Sequence, residues 1–381
     1  MPRQGDESSM SKTSIPLKVK MQLWRRSGGR CQYEGCNKAL WLDSLTKCEF
    51  NISYIAHIYA EGPEWPRYDP VLSPKLRADI TNLMVLCDEH HRLIDIGDPD
   101  GHPVERLQQI KRKHELRIEA LTSIQENRQS HILLYGANVG QHFPRPTWQE
   151  AVEAMIPDRC PAERPAMELS LGRSPFHDNE GDYWDLERKN LRRQFADGVR
   201  PRLRHGDVEH LSVFGFAPQP LLMELGRLLS DIPAAEVFQR HREPQSWKWQ
   251  EDPEGFKFIV RKPRIIRGDP ALNLSLSATI DNSRITKVLG NSSVWTLTIR
   301  SPNNDFLKGR GQLGSFRETF RKLMDTIKAA HGHDSVLHVF PAVPVAVAVE
   351  IGRVWMPKAD LPLRVWDENR ECGGFVEALD I

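Results

Sequence analysis

The 381-residue sequence has no apolar run long enough to cross a bilayer, and its opening stretch MPRQGDESSMSKTS lacks the apolar core of a secretory leader. These absences argue against membrane-spanning and exported classes and lead to the expectation of a cytoplasmic protein with no membrane partner. Net charge is nearly missing as well: +1 at pH 7, from 52 basic and 51 acidic residues. A chain without a general basic field is not a permanently adherent DNA binder, so activity on nucleic acid would be gated, although local basic patches stay open. There are only six cysteines, and in a reducing compartment clusters among them read first as metal ligands rather than as a disulfide framework. Residues 165–381 contain no P-loop, no Gly-x-Gly-x-x-Gly string and no nucleophile triad, so the C-terminal part reads as a sensor rather than as a catalytic domain.

What is present suits two units, since the length exceeds one comfortable core. Residues 1–130 comprise a polar lead-in, a Cys/His/Pro-rich loop module and a helical segment over 103–128, expected to act as a connector. Residues 131–164, dense in Gly and Pro, read as a linker, and 165–381 as a second domain. That domain repeats itself. Leu211, Val213, Phe214, Pro218, Glu224, Leu225, Gly226 and Arg227 match Leu337, Val339, Phe340, Pro344, Glu350, Ile351, Gly352 and Arg353 in one ungapped register. After a short slip, Val237, Phe238, Arg242 and Glu243 match Val365, Trp366, Arg370 and Glu371. Each copy, about 205–265 and 333–381, reads as strand, Pro-containing turn, helix and strand, which predicts a pseudo-symmetric α/β domain.

In the N-terminal module Cys31 and Cys36 form one close pair, and Cys87 with His90 a second. C-x4-C plus C-x2-H is a tetrahedral zinc inventory, and four protein ligands leave no open position, so this zinc is expected to be structural. Between and after the pairs lie His57, Asn82, His91 and Asp95. Phosphodiester hydrolysis needs a base, a divalent ion and a group that orients the base. His57 suits the first role and Asn82 the third. His91, with Asp95 one helical turn on, suits a catalytic ion such as Mg2+. In the C-terminal domain the turns GFAPQP (215–220) and PAVP (341–344) place Pro218 and Pro344 where α/β domains hold anions. QRHREPQSWKWQ (239–250) adds Arg242 as a phosphate partner and Trp247 and Trp249 as stacking faces.

The string AHI…TNLMVLCDEHHRLID with its split cysteine pairs resembles the HNH nuclease family. That resemblance implies a ββα-metal fold with His57 as general base, Asn82 as its orienter and His91 on a divalent cation. It departs from many members at Ala56, where a further ligand would stand, so the ion would be held by fewer protein ligands or by Asp95 and others. The stretch HLSVFGFAPQPLLMELGRLLSD…EVFQRHREPQSWKW, echoed by HVFPAVPVAVAVEIGRVWMPK, resembles the SAVED domain, a fusion of two CARF-like Rossmann-type halves that binds cyclic oligonucleotides. The fold class expected is therefore an α+β HNH zinc module joined to an α/β SAVED domain. HNH followed by SAVED resembles the nuclease effectors of bacterial CBASS anti-phage defence. This implies a cyclic dinucleotide activator, double-stranded DNA as substrate, and activation by homo-oligomerisation; a ligand closing the cleft between the two repeats is expected to convert a dimer to a tetramer. Two rival readings are a restriction-type HNH nuclease whose C-terminal domain reads DNA, and a non-catalytic regulator that binds DNA through its zinc module.

Overall fold

The computed structural model describes residues 14–42, 48–49, 51–124, 127–139, 145–170, 180, 182–369 and 373–381. Residues 1–13 of the polar lead-in, 140–144 of the expected linker, and Arg370 and Glu371 of the second repeat lie outside the described residues. The chain divides into two compact units, Met1–Ile124 and Gln125–Ile381.

The first unit opens with α1 (Leu17–Ser27), which ends at Gly28 in the left-handed conformation with its N–H on the carbonyl of Arg25. It continues through β1 (Tyr54–His57), α2 (Leu72–Leu76), a 3-10 turn at Ile80–Asn82, β2 (Leu83–Leu86), α3 (Asp88–Arg92), a π turn at Leu93–Gly97 and α4 (Val104–Thr122). β1 and β2 pair antiparallel, with Tyr54 opposite Leu86 and His57 opposite Leu83. β2 reads LMVL without alternation because both its faces are covered, and it forms the middle of a small core with Leu23, Ala56, Ile58, Ile94, Leu107 and Ile110. α4 is therefore a wall of this unit rather than a free connector. His114 of α4 donates from Nε2 to the Ser27 carbonyl at the end of α1, at 2.9 Å.

The second unit consists of two halves. The first is β3 (Gln129–Gly136), α5 (Trp148–Met155), β4 (Cys160–Pro161), β5 (Met167–Ser170), α6 (Tyr183–Gln194), α7 (Arg200–His205), β6 (Leu211–Phe216), α8 (Gln219–Leu229) and β7 (Ala235–Val237). The second is β8 (Ile259–Arg261), β9 (Asp269–Ser275), α9 (Asn282–Leu289), β10 (Ser292–Thr298), α10 (Arg310–His331), β11 (Leu337–Ala342), α11 (Val345–Val354), β12 (Leu363–Asn369) and β13 (Gly374–Asp380). Parallel strands run β5-β3-β6-β7 in one and β10-β9-β11-β12 in the other, so the parallel set of each half starts with a middle strand, β3 or β9, and winds outward both ways. β8 and β13 are antiparallel edges of the second sheet. The middle strands are buried along nearly their whole length, as parallel strands covered on both faces are, and the polar residues within them, such as Ser212 and Asn273, are buried too.

This architecture corrects the domain boundaries read from sequence. Residues 131–164 are not a linker: β3 is a middle strand paired with β6 from His131↔Leu211 to Gly136↔Phe216, and the division falls at 124/125. The repeats at 205–265 and 333–381 captured only the last strand-helix-strand of each half. The match extends back to earlier helices, where Leu191 and Arg192 of α6 and Phe195 just beyond it correspond to Phe316, Arg317 and Phe320 of α10, one residue out of the later register.

The matched Gly-Arg pairs explain how the halves join. α8 and α11 cross at backbone contact: a Cβ on Gly226 would lie 1.9 Å from the Val349 carbonyl oxygen, and one on Gly352 would lie 1.9 Å from that of Met223. Beside the crossing, buried Glu224 accepts from Arg227 and from Arg192 of α6. Buried Glu350 accepts from Arg353 at 2.9 Å and forms an ion pair, though not a hydrogen bond, with Arg317 of α10 at 3.3 Å. Glycine to alanine normally stabilises a helix by about 1 kcal/mol. Here Gly226→Ala and Gly352→Ala should each do the reverse, costing about 2–3 kcal/mol or more through overpacking. Thermal unfolding of the full chain measures this, and an unchanged or raised melting temperature would show that the helices do not touch.

Candidate functional site

In the first unit, two glycines in left-handed conformation, Gly28 and Gly29, turn the chain from α1 to Cys31. The second packs closely under the rings of Trp24 and Trp41. A tight turn at 33–36 brings Cys36 back, with its N–H on the Tyr33 carbonyl at 3.2 Å. Cys87 ends β2 and stands at the start of α3, one turn before His90. The sulfurs of Cys31, Cys36 and Cys87 and a ring nitrogen of His90 all lie within 4.8 Å of one another. Among the described residues this is the one group of three or more such ligands. Burial pushes the Cys31 thiol up to about 12 and raises that of Cys87, while it lowers that of His90, which favours the neutral imidazole. A second layer holds His90. Tyr33 stacks on its ring at 4.1 Å and donates its hydroxyl to His102 Nε2 at 2.8 Å, while His102 Nδ1 donates to the Asp98 carbonyl at 2.6 Å.

His57, His91 and Asp95 come together at one cavity of about 370 Å³, which also takes in Glu61, Tyr54 and Trp65. His57 Nε2 donates to the Arg77 carbonyl at 2.9 Å, which fixes the tautomer and leaves Nδ1 with the lone pair. Asn82 does not orient that ring, contrary to the expectation. Its side chain is buried and clamps Tyr59, accepting from the Tyr59 N–H at 2.7 Å and donating to the Tyr59 carbonyl at 3.1 Å. Asn82 therefore shapes the backbone two residues beyond the histidine, and the Arg77 carbonyl takes the role assigned to it. His91 stacks on Tyr54 at 5.2 Å, with Nε2 3.7 Å from Asp95 Oδ2. Asp95 is not a free ligand either, because its other oxygen is bound by Arg67.

Arg67 is the residue that sequence reasoning missed. Its side chain is buried, and the guanidinium spans the unit, donating from Nε to the Ile58 carbonyl at 3.0 Å, from Nη1 to the Ile94 carbonyl at 2.6 Å and from Nη2 to Asp95. It ties the exit of β1, next to His57, to the helix that carries His91. A loop arginine is ordinarily exposed, so nothing in WPRYD signals this. Arg67→Ala leaves a half-buried carboxylate and two carbonyls without their donor and should destabilise the first unit by about 2–3 kcal/mol. Arg67→Lys should recover less than half of this, because one ammonium cannot reproduce the fork. Denaturant titration followed by tryptophan fluorescence tests both, and a lysine variant as stable as the parent would contradict the three-way bridge.

In the second unit a cavity of about 490 Å³ opens where strands of both halves end. Gln219 at the start of α8 accepts from the Val343 N–H at 3.0 Å, and Gln239 after β7 accepts from the Ala346 N–H at the start of α11, at 3.2 Å. Two amides of the first half thus stitch the turn and helix start of the second to the rim of the cavity. Arg240, His241, Arg242 and Gln245 line one side, and Ser277, Asn304 and Val343–Val345 the other. Arg240 is held by Glu150 at 3.0 Å, whereas Arg242 makes no side-chain ion pair among the described residues. Burial lowers the pKa of His241, and neither ring nitrogen has a hydrogen-bond partner among the described residues.

The family described as "SMODS-associated and fused to various effectors sensor domain", SAVED, matches residues 191–381, half of the chain and most of this unit. The chain belongs to the SAVED family. Among solved structures it is similar to the Acinetobacter baumannii Cap4 SAVED/CARF-domain containing receptor. With the cyclic trinucleotide 2'3'3'-cAAA that receptor shares 13% identity over 73% of this chain and 61% of its own, at a TM-score of 0.41. With 3'3'3'-cAAA the values are 13%, 73%, 61% and 0.43. The Moraxella osloensis Cap4 receptor shares 12% over 72% of this chain and 54% of its own, at 0.36. The chain thus spans about three fifths of the first of these receptors. No curated protein matches it. Among the described residues no helix is long and apolar enough to cross a membrane.

Within the SAVED domain the expected ligand residues divide. Arg242 and Pro344 line the cavity, while Pro218 is buried at the start of α8. Trp247 is only 3% exposed and packs edge-on against Phe214 at 5.5 Å, and Trp249 lies against Phe238 at 6.4 Å. Both belong to the packing around Phe214 and Phe238, with Trp249 only partly buried, and neither lines this cavity, contrary to the expectation of stacking faces there. Truncating a buried tryptophan costs about 3–5 kcal/mol. Trp247→Ala should therefore lower the melting temperature of the SAVED domain, while Arg242→Ala leaves it within about 2 °C, as expected for a surface change worth under ~0.5 kcal/mol. Calorimetry on the two variants distinguishes core from cavity.

Proposed function

We propose that the chain is a cyclic-nucleotide-activated, metal-dependent endonuclease of CBASS anti-phage defence that degrades double-stranded DNA. The observation that carries the reading is His57: its Nε2–H is spent on the Arg77 carbonyl, and its Nδ1 is left as an acceptor at a cavity shared with His91. A histidine so fixed can take a proton from water at Nδ1 as the oxygen attacks the scissile phosphorus. His91 would hold a divalent cation such as Mg2+ on the same wall, with Asp95 close by but engaged by Arg67. When bound, such an ion neutralises charge developing on the phosphate. Tyr54 keeps the His91 ring in place by stacking, and Asn82 holds the backbone that follows His57.

The Cys31, Cys36, Cys87 and His90 group fits Zn2+ in donor type, number and closeness. With all four positions filled by protein, its role is structural. The SAVED cavity, with Arg242 on one side and the start of α11 on the other, suits a cyclic dinucleotide whose phosphates meet a guanidinium and helix amides. Binding across the two halves changes the faces they present and promotes assembly from a dimer to a tetramer, in which the nuclease becomes competent.

Plasmid degradation in magnesium, with and without candidate cyclic dinucleotides, tests the whole reading. Cleavage should appear only with an activating ligand and should vanish in His57→Ala, while zinc content by elemental analysis stays near one per chain. Arg242→Ala should lose the response to ligand. Full cleavage without ligand would remove the gating, and cutting by His57→Ala at the parent rate would remove the base assignment.

A further inference from the structure

In the SAVED domain, the segment KFIVRKPRIIRG (257–268) carries Lys257, Arg261, Lys262, Arg264 and Arg267 and no acidic residue. All five are exposed, and none makes a side-chain ion pair among the described residues. In a chain whose net charge is +1, five cations without an ion pair, in a segment whose flanking acids are Glu254 and Asp269, are a strong local field. We propose that this strap is a sequence-independent binding surface for the phosphate backbone of double-stranded DNA, an inference that rests on reading duplex DNA as the substrate.

The strap is held in place. β8 pairs with the edge of β10, Ile259 opposite Thr298 and Arg261 opposite Thr296. Further on, the Arg267 N–H donates to Ser293 Oγ at 2.7 Å, and the Ser293 hydroxyl donates back to the Arg267 carbonyl at 2.8 Å. Gly268, at φ +62, passes so close to Asn291 that a Cβ there would lie 1.9 Å from its carbonyl oxygen. The backbone is therefore fixed at both ends of the strap along the outer side of β10, so the cost of ordering on binding phosphates falls mainly on the arginine and lysine side chains.

The charge pattern selects among partners. A twofold contact between two copies would set one cationic strap against the other, which is repulsive. A membrane surface needs its apolar side chains on one face; Ile265 and Ile266 of the strap are exposed, but Ile259 and Val260 are neighbours on a strand and point to opposite faces, so the strap offers no single apolar face. A duplex offers closely spaced negative charge and needs no shape match.

The test is fluorescence anisotropy of a labelled duplex of about 30 base pairs with the full chain, without magnesium, between roughly 50 and 200 mM salt. Replacing Arg261, Lys262 and Arg264 by alanine should weaken binding at least about tenfold and lower the salt slope by about 2–3, roughly 0.9 for each phosphate that the variant no longer neutralises. Arg261→Lys with Arg264→Lys keeps the charge and should stay within about threefold of the parent. Unchanged affinity and slope in the triple variant, loss of binding in the lysine variant, or stronger retention of the parent on phosphatidylserine vesicles than on the duplex would each overturn the assignment. If the triple variant binds like the parent while ligand-dependent cleavage persists, the strap assignment falls and the nuclease reading stands. If the parent neither binds nor cuts duplex DNA, both fall.

Discussion

The backbone contact between α8 and α11 sets the geometry of the second unit. Two helices can approach this closely only where neither carries a Cβ, and the sequence places Gly226 and Gly352 at that point. The approach brings the helix starts, with Gln219 on one and Val345 on the other, to a single cavity. It also buries Glu224 and Glu350, which would be costly if they were unpaired. Burial pushes the Glu224 carboxyl up, but Arg227 and Arg192 outweigh it and hold the group below the usual carboxylate range. Each arginine pair joins one residue of the crossing helix to one of the helix before the middle strand, so the crossing is braced from α6 on one side and α10 on the other.

Much of this was legible because it repeats. Glu224–Arg227 and Glu350–Arg353 stand in one register, and a repeated Gly-Arg after a buried Glu is the imprint of a pseudo-symmetric crossing. The earlier part of each half was not legible. β3 has a good strand sequence in HILLYG, but it is followed by the Gly- and Pro-rich 136–165, whose composition suggested a linker. The two outer arginines, Arg192 and Arg317, sit one residue out of register and escape an ungapped comparison.

The first unit shows a different limit. Ligand spacing in C-x4-C and C-x2-H is a direct consequence of chain geometry and can be read without coordinates. The partner of His57 cannot, because it is the backbone carbonyl of Arg77, and a carbonyl has no letter in the sequence. Arg67 is hidden for a related reason: two of its three acceptors are carbonyls, at Ile58 and Ile94. The tryptophans of QSWKW failed in the opposite direction. Their neighbourhood of Arg and Gln suggested a binding face, but what decided their place was the aromatic packing of Phe214 and Phe238 beneath the sheet.

α3 carries two adjacent histidines with different tasks. His90 closes the cysteine group, and His91 lies at the cavity with His57. Neighbouring residues on a helix are about 100° apart, which is what allows one short turn to serve both sides. Cys87 anchors the start of this stretch, and Asp95, gripped by Arg67, anchors its end. Inserting or deleting one residue between them would swing His91 away from the cavity and carry another side chain into its place. The segment is thus a ruler: its composition can drift wherever a side chain faces solvent, but the number of residues between its two anchors cannot change.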